Sequence, residues 1–297
     1  MARKQVTSLI RWVYPALLEK EQDAYEEGTS LVPELIMLGY QKYAEAYPLP
    51  MHRHKHGYEF VYLEHGSITW EVDGVHYPTH AGQWFYTSPR EFHKARFDHM
   101  EPSRIWWFIL NEPSDELNWF RLNVIEREFI MKRIGQLPRV FRAGNRVHEQ
   151  FLRLKASLES ESPDKALFAR HQLLDILLGF LQFTPSTVNE PGLKDVVIRS
   201  VNQMVQSPEK RFSIAEMAQA VQVSESHFYK LFHEIFGQSP AAYMVRIRME
   251  RACALLKTDI PITEVALELG FATSQHFTTV FKKLIGSSPS EWRKHTP

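Results

Sequence analysis

From about residue 50 to residue 110, short runs rich in Val, Ile, Tyr, Phe and Trp alternate with turn residues, a pattern that predicts short antiparallel strands. The clearest hairpin is Ile68-Thr69-Trp70-Glu71-Val72, then Asp73-Gly74, then Val75-His76-Tyr77, because Asp-Gly suits a tight turn with positive φ. Gly66, Gly82 and Pro89 punctuate the neighbouring strands, and the spacing predicts a small barrel or sandwich. Beyond about residue 114 the apolar period lengthens. Asp115 to Ile134 and Arg146 to Phe183 read as helices packed beside the strands, with Leu152, Leu158, Leu167, Leu174, Leu177, Leu178 and Leu181 at helical spacing. These apolar stripes are expected in the core, and part of one also suits a dimer seam. Thr184 to Gly192, holding Pro185, Ser186, Asn189, Pro191 and Gly192, reads as a linker. The expected organisation is one domain over residues 1–183, a linker over 184–194 and a second domain over 195–297.

The second domain contains an internal repeat. At an offset of 49 residues His227-Phe228 recurs as His276-Phe277, Phe232 as Phe281, and Gly237-Gln238-Ser239-Pro240 as Gly286-Ser287-Ser288-Pro289. Upstream, Ile214, Met217, Ala218 and Val221 match Ile262, Val265, Ala266 and Leu269 at an offset of 48, so the second copy holds one more residue in its turn. Each copy reads as a short helix, a tight turn and a longer helix, the order of a helix-turn-helix, over about 213–236 and 261–285. Ala218 and Ala266 stand where the two helices must approach closely. Gly270 supplies the second turn, whereas Gln222 occupies the matching place in the first. Ser224, and Thr273 or Ser274, offer N-cap oxygens.

The longer helices carry Phe228, Leu231, Phe232 and Ile235, then Phe277, Val280, Phe281 and Leu284, on the anchoring side. Their other faces show Ser226, His227, Tyr229, Lys230 and His233 in one copy, and Gln275, His276, Thr278, Thr279, Lys282 and Lys283 in the other. A polar helix face is usually no more than solvated. Duplication changes that reading, since Ala241 to Lys257 forms an amphipathic helix, with Tyr243, Ile247, Met249, Ala252, Leu255 and Leu256 inward, that joins the copies rigidly. Such a joint holds two reading helices on one face of a duplex, about one turn of roughly 34 Å apart.

Charge modifies this picture only locally. Lys+Arg and Asp+Glu balance at 35 each, so no general electrostatic grip on nucleic acid or membrane is visible. Residues 195–297 hold 12 basic against 10 acidic groups, a surplus suited to a few phosphate contacts. The single Cys253 excludes an internal disulfide framework and a cysteine-rich zinc module, and fits a reducing cytoplasm. Met1-Ala2-Arg3-Lys4 is basic, but Leu9-Ile10-Arg11-Trp12-Val13-Tyr14 is interrupted by charge, so neither a signal peptide nor a membrane span is expected.

The stretch Ala241 to Ala252, the run Ile262-Thr263-Glu264-Val265-Ala266-Leu267-Glu268-Leu269-Gly270-Phe271 and the stretch Phe277 to Pro289 together resemble the AraC/XylS family over about 95 residues. The resemblance implies seven helices, base contacts from the second helix of each unit and a double-stranded DNA partner. Carried onto this chain, it marks Ser226, Tyr229, Lys230, Ser274, Gln275, Thr278 and Thr279 as base-facing. Ser224, His227, His276, Lys282 and Lys283 stand beside them, and Arg248 serves as a conformational or phosphate anchor. It also implies a cytoplasmic homodimer that recruits RNA polymerase, and a cupin-like barrel that senses a small molecule without catalysis. The expected fold is therefore α+β: a cupin-like antiparallel β-barrel with flanking helices, then an all-α domain.

In the first domain His52, His54 and His56 lie two apart, which in a strand places them on one side. His54-Lys55-His56, Glu59, Gly66 and His93 resemble the metal motif of cupin barrels, with a short spacing before Glu59 and no family glycine beside His93. The favoured expectation is an effector pocket without resident metal or cofactor, formed by His54, His56, Glu59, Tyr62, Trp70, Trp84, His93 and Arg96. Tyr86, Trp106 and Trp107 add aromatic walls, and such walls suit a sugar. Against it stand strand aromatics as plain core, a metal-dependent cupin isomerase or oxygenase fused to a DNA-binding domain, and a ligand-free assembly factor.

Overall fold

The computed structural model describes residues 10–14, 31–114, 118–144, 146–182, 193, 196–197, 200–201, 213–236 and 238–295. The linker expected over 184–194 lies outside them except at Leu193. Among the described residues no helix is long and apolar enough to cross a membrane.

The first part is an antiparallel sheet backed by helices. Its strands are β1 (Ile10–Tyr14), β2 (Leu35–Tyr43), β3 (Tyr47–Pro48), β4 (Gly57–Val72), β5 (Val75–His80), β6 (Gln83–Thr87), β7 (His93–Ala95), β8 (His99–Met100), β9 (Ser103–Asn111) and β10 (Val140–Phe141). The main order is β1-β2-β9-β4-β6-β10, with β5 and β7 pairing to β4 and a separate β3-β8 pair. The sheet rolls but does not close between β1 and β10, so the expected barrel is an open one. β4 makes the roll: its first half pairs with β6 and β9, its second half with β5 and β7. The changeover coincides with Gly66 at φ +91°, where a Cβ would meet the Pro102 carbonyl. The Asp73-Gly74 hairpin forms as expected, both residues having positive φ.

Strand alternation divides the aromatic residues between two cores. Phe60, Trp84, Tyr86, Trp106 and Phe108 face helices α2 (Val147–Glu159) and α3 (Lys165–Leu181), where Phe151 stacks on Trp106 and Phe180 meets Trp84 edge-on. Val61, Leu63, Ile68, Trp70, Phe85 and Ile105 fill the inside of the roll, with Trp70 stacked on Phe85. Helix α1 (Val124–Ile134) begins later than Asp115 because Asn123 and Glu126 form a reciprocal capping box at Val124. Of the leucine stripes, Leu158 and Leu177 are buried, while Leu152, Leu167 and Leu178 are exposed.

The second part is helical: α4 (Ile214–Ala220), α5 (Glu225–Phe236), α6 (Pro240–Leu255), α7 (Ile262–Glu268), α8 (Ser274–Ile285) and α9 (Pro289–His295). The repeat is reproduced bond for bond in the turns. Val223 N–H donates to the Ala218 carbonyl and Phe271 N–H to that of Ala266. Gln222 takes the left-handed conformation at φ +57°, as Gly270 does at +77°, so the turn survives without glycine. Ser224 and Thr273 cap the longer helices through the amides of His227 and His276. Helix α6 serves both units: Tyr243, Met244 and Ile247 enter the first core, and Met249, Ala252, Cys253 and Leu255, with Leu256 at its C-cap, the second.

Candidate functional site

The structure brings one polar cluster together inside the rolled sheet. Glu59 shares its face of β4 with Val61 and Leu63, and His93 starts β7. His52 and His93 exchange backbone hydrogen bonds, N–H to carbonyl, at 3.0 and 2.9 Å, which fixes the two ligand-bearing segments side by side. His93 Nε2 lies 2.8 Å from Glu59 Oε2, and His54 Nε2 lies 3.5 Å from the same oxygen, an ion-pair distance without hydrogen-bond geometry. One donor atom from each of His52, His54, Glu59 and His93 falls within 4.8 Å of the others.

The expected histidine–carboxylate motif is therefore corrected at one position, since His56 is exposed and outside the cluster while His52 is inside it. Residues 52–56 precede β4, so strand parity does not govern them. The signal available in the sequence was the longer spacing, His52-x-His54 followed by four residues and Glu59, with His93 on a second segment.

Burial pushes the Glu59 carboxyl upward, but His54 and His93 outweigh it and hold it well below the usual carboxylate range. Burial lowers His93, and its bond to Glu59 overrides this and raises it. Burial lowers His52; Glu59 opposes this, and the neighbouring histidines add to the lowering. The donor chemistry fits a divalent transition metal. Nδ1 of His52 is 2.8 Å from the Pro50 carbonyl and Nδ1 of His93 is 3.2 Å from that of Glu91, which turns His93 Nε2 to Glu59 and leaves His52 Nε2 available as a ligand. His54 Nε2 is buried without a hydrogen-bond partner, a cost that a bound cation removes. Three imidazoles and a carboxylate are suitable ligands for zinc or another first-row ion.

The remaining expected effector residues lie elsewhere. Tyr62 packs on Trp84 and Phe151 on the helix-facing side, Trp84 belongs to that core, and Trp70 lies inside the roll. Being on opposite sides of one sheet, Tyr62 and Trp70 do not wall a common pocket. Arg96 turns toward the helical part, 2.9 Å from Glu250.

In the helical part Ser224, Ser226, His227, Tyr229 and Lys230 line the exposed side of α5, at and just after its start. Gln275, His276, Thr279, Lys282 and Lys283 are exposed on α8, with Ser274 and Thr278 half-buried beside them. Arg248 is half-buried on α6. The deeply buried cation of that helix is Arg246, which sequence reasoning left unassigned.

A helix-turn-helix duplicated about one helix, carried with a histidine-bearing rolled sheet, defines a two-domain class. A family model described as a helix-turn-helix domain matches residues 217–295, and one described as a cupin domain matches residues 40–109. An uncharacterized HTH-type transcriptional regulator of Haemophilus influenzae is 32% identical over 92 residues, covering 31% of this chain and 31% of the relative. A putative AraC-like transcription regulator of Streptomyces antibioticus is 29% identical over 127 residues, covering 41% and 42%. The C-terminal domain of AraT, a response regulator from Geobacillus stearothermophilus, is 29% identical, covers 35% of this chain and 88% of that one, and superposes with a TM-score of 0.32. The chain carries an AraC-type helix-turn-helix domain and a cupin domain. It spans between about three and about four tenths of the length of these curated relatives.

Proposed function

We propose that this chain is a sequence-specific, double-stranded-DNA-binding transcriptional regulator, not an enzyme, acting in the cytoplasm. The observation that carries the reading is the pair α5 and α8: each is anchored by phenylalanines on one side, presents short hydrogen-bonding side chains on the other, and is fixed to its twin by α6. Side chains of that kind near a helix N-terminus read base edges in a major groove. Ser226, Tyr229, Lys230, Ser274, Gln275, Thr278 and Thr279 are the base-facing set, and Lys282 and Lys283 contact phosphate. The sensing domain ends at residue 183 and the DNA-binding domain begins at 195. The protein acts as a homodimer that activates by recruiting RNA polymerase.

The effector acts at the cupin domain. Because the aromatic residues that suggested a sugar are divided between two cores, the four-residue cluster is the better-supported effector site. His52, His54, Glu59 and His93 would hold a divalent cation, which supplies a fixed positive charge and, to a bound ligand, a Lewis acid. The test of the DNA reading is a footprint on the intergenic DNA upstream of the coding sequence, at stated salt and with nonspecific competitor. Protection of two adjacent major grooves per protomer is expected, and absence of specific protection removes the reading. The same cluster favours a second reading, a metal-dependent cupin enzyme fused to a DNA-binding domain, which requires turnover that is lost on substituting His52 or His54.

A further inference from the structure

Residues 93–101 join the histidine–carboxylate cluster to the helical part. His93 is a member of the cluster. Three residues on, Arg96 Nη1 pairs with Glu250 Oε2 of α6 at 2.9 Å. Phe97 meets Trp292 of α9 edge-on, with ring centroids 6.2 Å apart. The His99 ring covers Gly286, so closely that a Cβ there would overlap it. Glu101 Oε1 lies 3.1 Å from Arg246 Nη1. Phe97 and Asp98 both have positive φ, at 64° and 59°, a strained turn that these contacts hold in place.

Most of the contacts sort by unit. The strap from His93 to Glu101 touches α6 and the second helix-turn-helix unit, whose Lys283 carbonyl also accepts from the Ala46 N–H at 3.0 Å. The first unit meets other strands: Gln238 Nε2 donates to Ser67 Oγ at 3.0 Å, and the His80 ring meets Phe236 edge-on at 5.2 Å; its tie to the strap is indirect, through the Ser67 hydroxyl, which donates to Glu101 Oε2 at 3.3 Å. A void with room for about one water lies between strap and helices, lined by residues that include Phe97, His99, Glu101, Arg246, Met249 and Glu250.

We propose that occupancy of the cluster by a divalent cation is transmitted along residues 93–101 and alters the docking of the second helix-turn-helix unit, leaving the first unit in place. The inference rests on the cluster being a cation site. His93 and Glu59 are hydrogen-bonded to one another in the docked arrangement. A cation takes both as ligands and replaces that bond, moving the residue from which the strap starts. A ligand shifts an equilibrium only through unequal affinity for its states, and the replaced bond supplies that inequality. Reciprocity then requires that undocking the unit change the affinity for the cation by the same factor as the cation changes the docking equilibrium, so a variant that loosens the strap shifts the affinity in that direction.

The test uses the full chain and zinc alone. Affinity is read by competition with a chromophoric chelator, and docking by hydrogen exchange of peptides covering 96–101, 283–292 and 225–236. The expected result is saturable 1:1 zinc binding, faster exchange in 96–101 and 283–292, and unchanged exchange in 225–236. His52→Gln, at a half-buried position, should abolish both responses with the fold retained. Arg96→Gln, outside the cluster, should change zinc affinity at least threefold. Zinc binding with unaltered exchange and an unaltered affinity in Arg96→Gln overturns the transmission while leaving the site. Failure of the parent chain to bind zinc overturns the cation reading of the cluster and the transmission with it, and leaves the DNA footprint as a separate question.

Discussion

Arg246 Nη1 lies 3.1 Å from Glu101 Oε1, linking the middle of the inter-unit helix α6 to the sheet across 145 positions of sequence. Thr69 Oγ1 at 3.3 Å and Glu250 Oε1 at 3.1 Å also face Nη1, and the guanidinium lies over the Tyr243 ring, while Nε is buried without a hydrogen-bond partner. Burial opposes the charge on Arg246, yet Glu101 and Glu250 raise its pKa, so it stays cationic. Burial, with Glu250 beside it, keeps the Glu101 carboxyl above its usual range, and Arg246 counteracts this only in part. The clasp therefore holds the two parts together only while both partners are present.

Removing one partner leaves a buried charge uncompensated, which costs about 3 to 5 kcal/mol, whereas replacing both with apolar groups of similar volume is often neutral. Arg246→Met should lower the midpoint of thermal unfolding and separate one transition into two. Arg246→Met combined with Glu101→Leu should recover most of the loss. Equal stability of the single variant and the parent, measured by calorimetry, would show that the clasp contributes nothing.

Gly286 ends α8 at φ +92° beneath the His99 ring. Gly286→Ala meets two penalties, the left-handed backbone at about 1 to 2 kcal/mol and overlap with the imidazole. Adding His99→Ala removes the second and not the first. Partial rescue in denaturant unfolding is expected, and full rescue would mean that the backbone tolerates alanine there.

The repeat was legible because its determinants are local: the anchoring aromatics, the alanine carbonyls that receive the turn amides and the capping oxygens recur in order. Gln222 departed from the pattern in type but not in conformation. The strands were legible from their alternation, but the aromatic pocket was not. Tyr62 and Trp84 are cross-strand partners on one side of the sheet, and Trp70 lies inside the roll beyond the bend at Gly66. Parity counted along one strand does not survive such a bend. His56 stands in the expected set in place of His52 because the cupin resemblance falls on His54-Lys55-His56, and parity, which puts all three histidines on one side, does not choose between them. Arg246 could not be distinguished from the surface cations of an amphipathic helix, since its partners are remote in sequence.

The DNA contacts separate into two kinds by salt. Gln275→Ala should weaken specific binding by about 1 to 3 kcal/mol if Gln275 reads a base edge, with relaxed preference confined to one half of the site. Lys283→Ala should weaken all sequences similarly and flatten the plot of log K against log salt by about 1. Titrations at several salt concentrations distinguish them. A Gln275→Ala variant with unchanged affinity for the footprinted site would remove that residue from the base-facing set.

Acid should loosen the docking of the first unit through His80. Burial first, and then the charges of Arg246 and Arg142, depress its pKa from 6.5 to about 3, and its Nδ1 is buried without a hydrogen-bond partner. The side chain packs against Phe236 and Tyr243, neither of which carries an opposite charge. Since the folded pKa is the lower one, the unfolded chain binds the proton more readily once pH falls below about 6.5. The contribution of His80 is thus fully present above that value and is lost progressively toward pH 3, at up to about 1.4 kcal/mol per pH unit. His80→Gln should have a shallower decline in unfolding free energy between pH 6.5 and 4.5 than the parent. Parallel declines in the two proteins would show that His80 is not the group that acid charges.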